Sequence, residues 1–273
     1  MQMNSIRWTS LAIIFGVLGS LAHAQTDSRV ATLTFEPGIY AGEYKLTLST
    51  GETVGPLTGT QTIELPVGEH RLAIATGDAI PFNSDQTGCS QTPTHPAVRC
   101  RASKLIFNTS TVRFRTNEFA GGYKVARVEP EHIVGDRPVV LVKGVTNWYL
   151  NIGTSSVQFS TDPGGNVLQP ADVGLRADRK RLVFEPVPIL VHPVAFEGTV
   201  SVERIDAAKQ GPRTVQLIPG LTNYFLKIRP SNALTLRMDM PANGEAPATI
   251  PFEIIESSGE LTQHYIAFWR IES

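Results

Sequence analysis

The sequence predicts an all-β chain of three tandem small β-sandwich repeats behind a cleaved signal peptide. Three observations predict it. Apolar residues alternate at period two in segment after segment, the side-chain repeat of a strand with one buried face. Gly68, Gly144 and Gly220 recur at a constant spacing, each between two β-rich runs. A short apolar block near the first residue ends in a small-x-small tripeptide. The 273 residues give room for two or three small domains, and a 41% hydrophobic content supplies their cores. The 23 Gly and 19 Pro favour turns over long helices. A formal net charge of −1 leaves no electrostatic footprint for nucleic acid and no polybasic membrane anchor.

Residues 1–24 read as the signal peptide. Arg7 supplies the positive start, the block from Leu11 to Leu18 the apolar core, and Ala22-His23-Ala24 the cleavage pattern before Gln25. The apolar core is short for a bilayer span of ~20 residues, and no Cys follows the cleavage point to take a lipid. A retained N-terminal anchor is the rival reading. No later window is apolar enough to span, so the mature chain is expected without a transmembrane segment. The style of the leader suits the periplasm of a Gram-negative bacterium or secretion.

Each repeat is justified by four landmarks in the same order. The first is Ala41-Gly-Glu-Tyr-Lys-Leu46, matched by Ala120-Gly-Gly-Tyr-Lys-Val125 and more loosely by Phe196 to Val202. The second is the Gly hairpin: Ile63 to Ile74, Val140 to Ile152 and Val215 to Ile228. Ile80-Pro-Phe82, Val157-Gln-Phe159 and Leu234-Thr-Leu236 follow, and Leu105–Phe107, Leu182–Phe184 and Ile266–Phe268 close the units. The repeats accordingly run 25–110, 111–190 and 191–273. Alternation is plain in Leu234, Leu236, Met238 and Met240, and in Tyr44, Leu46 and Leu48. Three separate beads fit best, with a packed array or a single large sandwich or barrel as alternatives.

The segment from Thr62 to Ile74 resembles the closing half of PEGA-type and carboxypeptidase-regulatory-like β-sandwich domains. There a strand, a Pro-Gly turn and a strand bearing an aromatic or His lead into alternating apolar residues. The resemblance covers about fifteen residues per repeat, and the Pro-Glu-Gly-Ala tetrapeptide is missing. It implies an immunoglobulin-like or PEGA-like sandwich acting as a non-catalytic adhesive or scaffolding module, and assigns no functional residue.

Cys89 and Cys100 are expected to form one disulfide closing a surface loop, since the chain is exported. Such a staple is worth roughly 3 kcal/mol on the chain-entropy model. Zinc on these two Cys with His95 is the alternative, but it lacks a fourth ligand and a CxxC spacing. His70, His132, His192 and His264 are scattered and form no ligand pair, and no nucleophile elbow or phosphate loop is present. No cofactor, metal or enzymatic activity is expected. A hydrolase whose residues meet only in the fold, using His132 or His192, is the minor alternative. Asp162-Pro-Gly-Gly-Asn166 reads as a turn rather than a calcium loop.

Two sets of binding candidates remain. Trp148 and Tyr149, and Tyr224 and Phe225, are adjacent on strands, so one of each pair enters the core and one faces outward or into a neighbouring repeat. Arg176, Arg179, Lys180 and Arg181 form a basic patch able to touch an anionic surface. The expected role is an exported non-catalytic binding or scaffolding protein of a bacterial envelope or surface assembly, its partner another envelope or secreted protein. The alternative is a carbohydrate-binding module acting on cell-wall or exopolysaccharide.

Overall fold

A computed structural model describes residues 29–91, 93–191, 198–222, 224–229, 234–240, 252–257 and 269–270. The leader, residues 1–24, lies outside them, as do His192, His264 and the Ile266–Phe268 closing run. Among the described residues every regular element is a strand, and they form six sheets. No helix there is long and apolar enough to cross a membrane.

Residues 30–107 build two sheets. One has the order β4-β1-β9-β8, from β4 (Gln61–Pro66), β1 (Val30–Glu36), β9 (Lys104–Phe107) and β8 (Val98–Arg101). The other runs β3-β2-β5-β6-β7, from β3 (Thr53–Leu57), β2 (Tyr44–Thr47), β5 (Gly68–Ile74), β6 (Ile80–Asp85) and β7 (Gly88–Gln91). Residues 109–184 build two more. β12 (Arg137–Val142), β10 (Thr109–Arg115), β17 (Arg181–Phe184) and β16 (Leu175–Asp178) are neighbours in that order. So are β11 (Tyr123–Val125), β13 (Trp148–Ile152), β14 (Ser155–Thr161) and β15 (Val167–Leu168). Both stretches place their first strand parallel to their last, β1 on β9 and β10 on β17. From residue 187 on, β20 (Arg213–Leu217), β18 (Val187–Val191) and β24 (Trp269–Arg270) form one sheet. β19 (Thr199–Val202), β21 (Tyr224–Arg229), β22 (Leu234–Met238) and β23 (Phe252–Ser257) form the other. Here β18 and β24 pair antiparallel. Boundaries after 110 and 190 would cut β10 and β18, whose pairings start at Thr109 and Val187.

The alternation seen in the sequence sets the core. In β1, Ala31, Leu33 and Phe35 are buried; in β10, Ser110, Val112 and Phe114 are. Rings from facing sheets then meet. Phe35 lies 6.0 Å from both Tyr44 and Phe82, and Tyr44 lies 5.3 Å from Phe107. In the second stretch Phe114 lies 5.5 Å from Tyr123 and 6.2 Å from Phe159, and Tyr123 lies 4.9 Å from Phe184. Each such ring buries enough apolar area to contribute ~1.5–3 kcal/mol.

Several polar groups inside find partners. The Tyr44 hydroxyl donates to the Gly59 carbonyl at 2.9 Å, and that of Tyr123 to Gly135 at 2.8 Å. Gly59, Gly135 and Gly211 all have positive φ, two residues ahead of β4, β12 and β20, a turn that favours glycine. Burial lifts the Tyr123 phenol to about 12. Arg137 reaches the Glu129 carboxylate at 2.7 Å and the Tyr123 carbonyl at 3.1 Å, and Glu129 also accepts the Val125 N–H. Arg213 repeats this on Asp206 at 2.6 Å and on the Val200 carbonyl, with Asp206 accepting the Val202 N–H.

The stretches are packed rather than separate beads. The Glu43 N–H donates to the Arg127 carbonyl at 2.8 Å, and the Gly122 N–H to the Arg204 carbonyl at 3.2 Å. Arg127 and Arg204 share a positive φ, 59° and 60°. Thr76 donates its hydroxyl to the Asn147 carbonyl, and Ser155 to that of Thr222. Asp78 accepts from Thr146 at 2.6 Å and from Asn147 at 3.0 Å, and buried Tyr40 lies 6.3 Å from the Trp148 ring. One apolar core runs through all the stretches.

Candidate functional site

The aromatic pairs split as strand geometry requires, and the split takes the largest rings away from the surface. Trp148 is fully buried, its indole N–H donating to the Thr161 hydroxyl at 3.2 Å, which donates on to the Val142 carbonyl at 2.8 Å. Tyr224 is buried too, its hydroxyl bonded to the Ile218 backbone N–H and carbonyl. Burial pushes the Tyr224 phenol far above the usual range. Neither ring offers a face to a sugar or a partner. Their neighbours Tyr149 and Phe225 remain, Tyr149 about one-third exposed and Phe225 half-buried. Of the four candidate rings, Tyr149 is the one that is exposed.

His70 fills the corresponding place on β5. It is 1% exposed, accepts the Ser49 N–H on Nδ1 at 3.1 Å, and lies 2.8 Å from the Ser84 hydroxyl through Nε2. Because a backbone N–H is always a donor, Nδ1 carries no proton and Nε2 does. Ser84 therefore receives from His70 and donates to the Pro66 carbonyl at 3.3 Å. A histidine in this tautomer cannot take the serine proton, and both groups are buried, so the pair is a core hydrogen-bond chain rather than a nucleophile and base. Desolvation holds the His70 imidazole below its ordinary pKa.

The disulfide lies on strands rather than on a surface loop. Cys89 sits in β7 and Cys100 in β8, with Cα atoms 5.8 Å apart, so the bond joins the free edges of the two sheets of 30–107. Sequence spacing predicts the bond; only the sheet order reveals that it spans the sandwich. His95 accepts the Ala97 N–H on Nδ1 at 3.2 Å, and no cluster of three metal-ligating side chains occurs among the described residues. The Asp162 carboxylate is taken up by the Asn166 backbone and side-chain N–H groups at 2.7 and 2.9 Å, which holds it well below the usual carboxylate pKa.

The basic patch becomes a cleft. Arg179 and Lys180 are the turn of the β16–β17 hairpin, and Arg181 starts β17. Parallel pairing sets Arg113 of β10 opposite Arg181, and the Arg113 N–H donates to the Lys180 carbonyl at 2.8 Å. These four cations, with Thr111, Asn166 and Asp178, line an open cavity of about 850 Å³. Arg181 stands 3.5 Å from Asp178, while no carboxylate reaches Arg113, Arg179 or Lys180 among the described residues. Arg176 turns to Glu185 at 2.6 Å and does not line the cavity. Arg113 and Thr111 escape a reading by local charge run, although Thr111, Arg113 and Arg115 sit at alternate, outward positions of one strand.

No family model matches the chain, and no match to it is found among curated proteins or solved structures.

Proposed function

We propose that this is an exported, non-catalytic binding or scaffolding protein of a bacterial envelope or surface assembly, built as three tandem β-sandwich repeats stacked end to end. The observation that carries it is the recurrence of the contacts between stretches. Glu43 to Arg127 and Gly122 to Arg204, and Asp78 to Thr146 and Ser155 to Thr222, join successive units through like positions. Stacked repeats of this kind present an extended, rigid surface, which suits holding a partner more than enclosing a substrate. The commitment of His70 and Ser84 to each other and to backbone supports a non-catalytic role. A disulfide fits an oxidising compartment, and the leader-like residues 1–24 fit export to it.

The test is expression with residues 1–24 in place, followed by fractionation and affinity capture from the envelope fraction. The reading expects an exported product beginning at Gln25 and stable recovery of an envelope component. A product retained in the cytoplasm, or a chain that recovers no component and stays monomeric throughout, contradicts it.

A further inference from the structure

We propose that the cleft beside the β16–β17 hairpin binds an anionic saccharide, a sugar carrying carboxylate or phosphate groups. The inference rests on the binding role above and names its ligand class. Its first support is charge: Arg113, Arg179, Lys180 and Arg181 face one carboxylate, that of Asp178, across the cavity. Guanidinium groups match carboxylate and phosphate oxygens in bidentate geometry.

The second support is an internal control. The β8–β9 hairpin has the same construction, with a turn residue of positive φ, Ala102 at 51° against Arg179 at 52°. The Thr34 N–H donates to the Ser103 carbonyl at 2.8 Å, as Arg113 does to Lys180. Thr34 pairs with Lys104 in the parallel ladder as Arg113 pairs with Arg181. The fold therefore forms this hairpin with Thr34, Ala102 and Ser103 in the places of Arg113, Arg179 and Lys180. Lys104 keeps a charge in the place of Arg181, but the fold does not need the other three cations. Their concentration at one hairpin costs electrostatic repulsion, which a bound anion relieves.

The remaining lining chooses among anions. Thr111, Asn166 and Asp178 hydrogen-bond neutral groups, and a carboxylate such as Asp178 accepts hydroxyls while repelling a bare polyanion. A sugar acid or sugar phosphate supplies both hydroxyls and charge. The cavity of about 850 Å³ is of the size that holds a short oligosaccharide. A concave site suits such a chain better than it suits a flat bilayer.

Isothermal titration of the exported chain from Gln25 onward, at low ionic strength, tests this with five probes. They are trigalacturonate, fructose 1,6-bisphosphate, neutral maltotriose, inorganic pyrophosphate, and phosphatidylcholine vesicles containing phosphatidylglycerol. Binding of trigalacturonate or of the sugar phosphate is expected, and no binding of maltotriose. The variant Arg113→Thr/Arg179→Ala/Lys180→Ser, which installs the residues of the other hairpin, is expected to weaken it at least about tenfold. Silence from both sugar anions overturns the proposal. So does unchanged affinity in the variant, pyrophosphate binding as tightly as the sugar anions, or binding to the vesicles alone. Envelope capture that survives in the variant separates failure of the cleft from failure of the binding role.

Discussion

Residues 30–107 and 109–184 share strand order, parallel closure and aromatic core, yet each is locked by different chemistry. The first carries the Cys89–Cys100 bond between its sheets and an added edge strand, β3. The second has neither. It has the Arg137–Glu129 pair, with side chains only 10% and 15% exposed, where the first places Gln61 at the head of β4. Core rings follow the fold, whereas edges and hairpins differ between stretches. The rings are architecture, and the edge and hairpin residues are free to take on another task.

If the cores are equivalent, Phe35→Ala and Phe114→Ala should each cost ~3–5 kcal/mol, because each empties a ring-sized space between facing sheets. Denaturant unfolding checks this, and a cost confined to one of them would break the equivalence. Arg137→Ala should cost about 3–5 kcal/mol, since it strands the largely buried Glu129 carboxylate. Gln61→Ala, at an exposed position, should stay within ~0.5 kcal/mol. Replacing Cys89 and Cys100 by Ser should cost roughly 3 kcal/mol, read as earlier unfolding and faster proteolysis of 30–107.

The ring at the end of the central hairpin gives a smaller and pH-dependent contrast. His70 has its folded-state pKa lowered below 6.5, so between the two values the unfolded chain binds more protons. Stability should be full above about pH 6.5 and decline as pH falls from there toward the folded value. An imidazole NMR titration of His70 with its midpoint at or above 6.5 would contradict this. Trp148, at the like position, contributes no such slope.

How much of this was legible in the sequence follows from range. Period-two alternation and the recurring Gly68, Gly144 and Gly220 are local or evenly spaced, and they predict the strands and the hairpins. Trp148 shares its face with Leu150 and Ile152, so local alternation turns it inward, whereas the Thr161 hydroxyl that takes its indole N–H lies thirteen residues away. Arg179, Lys180 and Arg181 stand out as a run, whereas Arg113 joins them only through a parallel pairing across 68 residues. The buried Arg137–Glu129 pair looks like two ordinary surface charges until the start of β12 is laid against β11 and the turn after it. Gly59, Gly135 and Gly211, equally spaced and each two residues before a strand, were a further landmark that the sequence held openly.

Arg113, Arg179 and Lys180 serve a ligand, and the fold does without them. Thermal unfolding of Arg113→Thr/Arg179→Ala/Lys180→Ser beside the parent chain tests it most directly. The variant's unfolding temperature should equal or slightly exceed the parent's, because like charges are removed from a hairpin the fold also builds without them. A clear fall in unfolding temperature would contradict it and return these three cations to architecture.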